Sequence, residues 1–117
     1  RRSSDLKELG TNVLWLMPIC EYGVEKSIGS PYCIKNYTKV EPKYGTIDDL
    51  RSLVRSAHDM GMAVILDWVA NHTSWDNLWI SNREWYTQDG AGNIVSKQAG
   101  SYTAPVYRIS EGCVNHD

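Results

Sequence analysis

Apolar residues crowd into two short runs, Val13-Leu14-Trp15-Leu16-Met17-Pro18-Ile19 and Met62-Ala63-Val64-Ile65-Leu66. Both are continuous rather than alternating, which is the pattern of a strand covered on both faces, as in a parallel sheet. Between them Ile47, Leu50, Leu53, Val54, Ala57 and Met60 recur at helical spacing, so one face of a helix would pack on that sheet. Thr46 followed by Asp49 predicts a capping box at the start of this helix, and Asp48 and Asp49 suit its positive end. Gly61 gives it a place to stop. Upstream, Leu6 to Leu9 reads as the last turn of another helix, ended by Gly10. The stretch from Cys20 to Tyr44 is rich in Gly, Pro, Ser and Asn and has little periodicity, which predicts one long loop. The resulting strand, helix, strand order is that of an α/β protein, with a right-handed crossover if the strands are parallel neighbours.

Composition narrows the function classes. A chain of 117 residues makes at most one ordinary domain, and 42% hydrophobic with 22% charged residues reads as globular protein rather than a disordered tail. A net charge of −2 without a basic cluster gives no electrostatic reason to expect nucleic acid or a membrane surface as partner. No apolar segment is long enough to cross a bilayer, and Arg1-Arg2-Ser3-Ser4 lacks the hydrophobic region of a secretion signal. Cys20, Cys33 and Cys113 have no metal-ligand spacing and are odd in number, so neither a disulfide framework nor a redox site is expected. Phe is absent while Trp and Tyr number 5 and 7. Such amphipathic aromatics can stack on sugar faces, although most are expected to be packing residues.

The chemistry gathers where the second apolar run passes into Asp67-Trp68-Val69-Ala70-Asn71-His72-Thr73. A strand ending there delivers Asp67, Asn71 and His72 at its carboxyl end, where α/β folds bind ligands. Taken alone, Asp67 is equally a strand-end Asp accepting backbone N–H bonds, His72 a satisfied core histidine, and Tyr32 a loop aromatic covering the core.

Asp67-Trp68-Val69-Ala70-Asn71-His72 resembles the first signature segment of the α-amylase family of glycoside hydrolases, Asp-x-x-x-Asn-His. Other motifs stand in that family's order. Leu6 to Gly10 with Val13 to Ile19 resembles the end of its first helix and its second barrel strand. Gly29-Ser30-Pro31-Tyr32, Asn36-Tyr37 and Pro42-Lys43-Tyr44-Gly45-Thr46 resemble the loop and helix start that follow. Trp85-Tyr86-Thr87 and Gly92-Asn93-Ile94-Val95 resemble the start of the small domain inserted after the third strand. The resemblance implies a portion of a (β/α)8 TIM-type barrel over residues 1–74, the start of an inserted domain over 75–96 and a divergent tail over 97–117. It runs over roughly residues 5 to 96 and is expected to stop there, because Lys97 to Asp117 lacks the Asp- and Trp-rich segment that leads the family to its fourth strand.

What the resemblance implies about function is specific. Family members hydrolyse or transfer α-glucosidic bonds of starch-like glucans with retention, using a carboxylate nucleophile and a second carboxyl group as acid/base. Those groups follow the fourth and fifth strands, so the resemblance puts no catalytic residue in this chain and implies that the chain alone is inactive. Tyr32 occupies the position of the tyrosine that stacks on the sugar at the cleavage subsite, and His72 that of a histidine donating to a sugar hydroxyl. Asp67 matches an active-site support residue. Asn71 matches a calcium ligand of the calcium-dependent members, calcium being a hard cation that prefers oxygen ligands. Asn36 departs from the family, which often has Asp before the tyrosine. Trp75, Trp79 and Trp85 could extend a sugar platform, but are expected to pack in the inserted domain. The implied partners are an α-glucan or oligosaccharide and the remainder of the barrel. The alternative is a non-catalytic carbohydrate-binding or structural subunit derived from the same barrel; a self-contained binding module fits less well, because the apolar surfaces need partners.

Overall fold

The computed structural model describes residues 3–25, 27, 29–99 and 102–105. In chain order the elements are α1 (Ser3–Glu8), β1 (Val13–Leu16), β2 (Cys20–Tyr22), β3 (Ile34–Val40), α2 (Ile47–Asp59), β4 (Ala63–Leu66), a single 3-10 turn (Arg83–Trp85), β5 (Ser96–Ala99) and β6 (Tyr102–Pro105). Gly10 follows α1 with φ 85°, the left-handed conformation that ends a helix at little cost only for glycine. One expectation fails. Cys20 to Tyr44 is not a single loop, since β2 and β3 pair within it as a two-stranded sheet. Ile34, Tyr37, Thr38 and Val40 are strand formers, but the partner that holds them lies more than ten residues away, where local periodicity carries no signal. The first apolar run is also shorter as a strand than expected: β1 ends at Leu16, two residues before Pro18, which has no N–H to give a ladder.

Close backbone contacts divide the chain into two units, Arg1–Glu21 with Tyr37–Trp68 and Tyr22–Asn36 with Val69–Asp117. In the first, β1 and β4 are parallel neighbours in the register Val13↔Ala63, Leu14↔Val64, Trp15↔Ile65 and Leu16↔Leu66. The expected parallel pairing is therefore present. The Asp67 N–H carries the ladder one step further, donating to the Leu16 carbonyl at 3.1 Å. α2 packs on β4, and Leu50 and Leu53 line a hollow together with Leu16 and Ile19. Ala57 and Met62 are fully buried, and the Met62 N–H bonds the Ala57 carbonyl at 2.9 Å, which closes the turn between helix and strand. One helix covers one face. Trp15 is accordingly 72% exposed on a strand whose composition asks for cover on both sides.

The capping box expected at α2 is complete. The Asp49 N–H donates to Thr46 Oγ1 at 3.2 Å and the Thr46 N–H returns a bond to Asp49 Oδ2 at 2.7 Å. The backbone N–H and then the hydroxyl of Thr46 hold the Asp49 carboxyl below its ordinary value of 3.8. A group whose pKa is lowered by folding contributes stability above its unfolded value and loses it as pH falls through the folded one. Asp49→Asn is therefore expected to be less stable than wild type above about pH 4, with the difference fading at lower pH. Thr46→Ala removes the cap outright and is expected to cost about 1 kcal/mol, read from denaturant midpoints of the full-length protein.

The second unit is built from polar groups as much as apolar ones. Cys33, Ile34 and Tyr86 are buried together with Ser27, Thr73, Ser74 and Asn77. Tyr86 and Thr73 share a hydroxyl to hydroxyl bond of 3.0 Å, and Thr73 Oγ1 also donates to the Ser74 carbonyl at 2.9 Å. These bonds keep the buried hydroxyls from being left unmade, which costs more than a formed bond returns. Trp79 and Trp85 meet edge to face with ring centroids 5.9 Å apart. β5 and β6 pair antiparallel with Ser96 opposite Pro105 and Ala99 opposite Tyr102. Among the described residues no helix is long and apolar enough to cross a membrane. Cys20 and Cys33 are free thiols, each pushed up from its ordinary pKa chiefly by burial; Cys113 lies outside the described residues.

Candidate active site

Asp67 stands one residue beyond β4, where its backbone still belongs to the ladder and its side chain is partly exposed. A strand-end Asp with only a local role would accept nearby N–H groups. Among the described residues the Asp67 carboxyl accepts none, so it remains an acceptor at a strand's carboxyl end.

Asn71 and His72 follow in the second unit. Asn71 Nδ2 lies 3.0 Å from His72 Nδ1. An amide NH2 only donates, so Nδ1 is the acceptor and the ring proton of the neutral histidine sits on Nε2. That tautomer makes Nε2 a donor. Nε2 is buried in this chain, so a ligand oxygen reaches it only by replacing what covers it. The same bond limits what Asn71 offers a metal, since only Oδ1 is an oxygen donor. Calcium takes about six to eight oxygens, and among the described residues no cluster of three or more His, Cys, Asp or Glu side chains stands ready to hold a metal.

Tyr32 lies in a tight turn. The Cys33 N–H bonds the Ser30 carbonyl at 3.1 Å and the Tyr32 N–H bonds Ser30 Oγ at 3.3 Å. Tyr32 is 37% exposed there. The turn leads directly into Ile34, whose carbonyl accepts the Ser74 N–H at 2.9 Å, Ser74 Oγ at 3.1 Å and Asn77 Nδ2 at 2.9 Å. The segment carrying Tyr32 and the segment carrying His72 are thus fastened together within one unit, each site residue two positions from the junction. Asp67 belongs to the other unit.

The junction's own residues escape a reading of the sequence. Ser74, Asp76 and Asn77 form no recognisable pattern, and the sole hint is three small polar side chains following a site motif. Asp76 Oδ2 accepts the Val24 N–H at 3.2 Å. Burial pushes its carboxyl up, but the Ser74 hydroxyl, the N–H groups of Val24 and Asp76 itself, and the charge of Lys35 outweigh this and leave it below the usual value. Asp76 is thus held as an anion at neutral pH.

Known proteins complete the picture. Residues 4–98 match the model of the alpha amylase catalytic domain. The chain is 40% identical over 74 residues to trehalose-6-phosphate hydrolase of Escherichia coli, covering 63% of this chain and 13% of that protein. It is 43% identical over 83 residues to alpha-glucosidase of Apis mellifera, covering 68% and 14%. Among solved structures, a noncanonic maltogenic alpha-amylase from Thermotoga neapolitana superposes with a TM-score of 0.81 at 34% identity, covering 93% of this chain and 26% of that one. The chain spans between about an eighth and about a quarter of the length of these proteins. Its parallel β1 and β4 with α2 between them are one portion of a (β/α)8 barrel, and the chain belongs to the alpha-amylase catalytic domain family.

Proposed function

We propose that this chain is part of a glycoside hydrolase that hydrolyses or transfers α-glucosidic bonds of starch-like glucans with retention, and that it contributes sugar-contacting and supporting residues rather than the reacting carboxylates. Tyr32 offers a ring face to a glucose unit at the cleavage subsite. His72 donates from Nε2 to a hydroxyl of the same sugar, and Asp67, at the carboxyl end of β4, takes the part of the family's active-site support residue. The observation that carries this reading is the Asn71 to His72 bond, because it leaves the imidazole in the one neutral tautomer able to donate from Nε2. A donor held in place before the substrate arrives costs nothing to orient during the reaction. The nucleophile and the acid/base come from outside these residues. Calcium has no part in any step proposed here; Asn71 Oδ1 is the atom through which it would bind, and a fall in Tm of the full-length protein on chelation would show it.

The test is stereochemical. Full-length protein is given a maltooligosaccharide in an NMR tube, and the first-formed reducing sugar is expected to be the α anomer, with the β anomer appearing later by mutarotation. Initial release of the β anomer would mean inversion and would sink the proposed mechanism. Tight binding of the oligosaccharide without turnover would favour a non-catalytic subunit instead.

A further inference from the structure

We propose that Asn77, acting with Ser74, is a positioning residue that sets the placement of Tyr32 relative to His72. This rests on the sugar-contact reading above and extends it to residues that touch no sugar.

The geometry is unusual for a loop crossing. A backbone carbonyl has two lone pairs, and the Ile34 oxygen fills both from one segment, accepting the Ser74 N–H and Asn77 Nδ2 at 2.9 Å each, while Ser74 Oγ lies 3.1 Å away and divides its single hydrogen between this oxygen and the Asp76 carboxylate. Ile34, Ser74 and Asn77 are all buried, so water does not compete for these bonds. The next carbonyl, that of Lys35, accepts the Leu78 N–H at 3.3 Å, which makes the junction a short ladder rather than a single point. Asn77 works at both ends of its amide: Nδ2 donates to Ile34 while Oδ1 accepts the Trp79 N–H at 2.8 Å. Neither a carboxylate nor an aliphatic side chain can do both.

The other end of the Tyr32 loop is fastened to the same segment. Asp76 Oδ2 holds the Val24 N–H, and the Gly23 N–H bonds the Cys33 carbonyl at 2.8 Å. The Asp76 carboxylate and the Ser74 side chain occupy the space that a Cβ on Gly23 would need, which is why the loop can approach so closely there. Residues 74–78 therefore grip the loop on both sides of Tyr32, and His72 lies two residues before the grip begins. A shift of about 1 Å in a positioned group can cost about a hundredfold in rate. A change at Asn77 should therefore reach the sugar through Tyr32.

The experiment is a double-mutant cycle in the full-length enzyme, read as kcat/KM on a maltooligosaccharide. Asn77→Asp keeps the shape of the side chain but turns its donor into a second acceptor facing the Ile34 carbonyl. It is expected to lower kcat/KM at least tenfold with an unchanged far-UV circular dichroism spectrum. Tyr32→Ala is expected to lower kcat/KM by itself, and the double variant to fall little below Tyr32→Ala, since the placement of an absent ring no longer matters. Should Asn77→Asp fail to fold, Ser74→Ala takes its place in the cycle, because it deletes one donor and keeps the backbone N–H bond. Wild-type kcat/KM in the folded clamp variant, or losses that multiply in the double variant, would overturn the proposal and leave Asn77 a purely structural residue. An enzyme indifferent to Tyr32→Ala would sink the sugar-contact reading itself, and the positioning role with it.

Discussion

The 117-residue chain purified alone is expected to release no reducing sugar from starch, maltooligosaccharides or sucrose, and to show no cooperative thermal unfolding. Both halves of this expectation have a physical cause. The chemistry needs two carboxyl groups flanking the scissile bond, and the proposed reading places them outside these residues. Folding fails for a different reason. The β1 and β4 pair is two strands wide, its helix covers one face, and Trp15, Met17, Ile65, Leu66 and Trp68 remain exposed, Trp68 at 79%. Two-stranded sheets are marginal in water, and an apolar surface of this kind seeks partners. Aggregation, or broad melting with poorly dispersed amide resonances, is the expected behaviour. Sugar release that disappears on changing one of the chain's own carboxylates would refute the assignment of the chemistry to other residues. A sharp melt of a demonstrated monomer would show that the exposed faces need no further cover.

In the full-length enzyme, His72→Ala is expected to lower kcat about a hundredfold while KM and Tm change little. Removing one preorganised donor that serves developing charge typically costs about 10²–10³ in rate, and a sugar hydroxyl is a weaker acceptor than an oxyanion, which favours the lower end. His72 is only partly buried and its Nδ1 partner Asn71 is exposed, so the substitution deletes no large core contact. A loss confined to kcat marks an interaction made in the transition state, whereas a rise in KM alone would mark uniform binding. Wild-type catalytic efficiency would reduce His72 to a structural residue. A companion variant, Asn71→Ala, frees the tautomer without removing the ring and should give an intermediate loss.

Where the signal was local, the sequence alone determined the outcome. The helix over Ile47–Asp59, its Thr46 and Asp49 box and its stop before Gly61 follow from residues within one turn of each other. The strand Ala63–Leu66 and the arrival of Asp67 at its carboxyl end are written in one continuous run. Family membership was likewise legible, because Asp67 to His72 and the motifs before it are linear patterns. Tertiary structure decided whatever depends on a partner far along the chain. β3 was invisible because the strand it pairs with precedes it by more than ten residues, and Ile34 to Val40 shows no alternation. The proton on His72 Nε2 depends on how the Asn71 amide is turned, a torsion that no spacing encodes. Ser74 and Asn77 look like ordinary loop residues until folding brings the Ile34 carbonyl, 40 and 43 positions away in the chain, within reach of both. Local pattern fixes which backbone conformation is cheap for a segment, whereas the choice of partner is made only when chain closure, burial and hydrogen bonding are satisfied together.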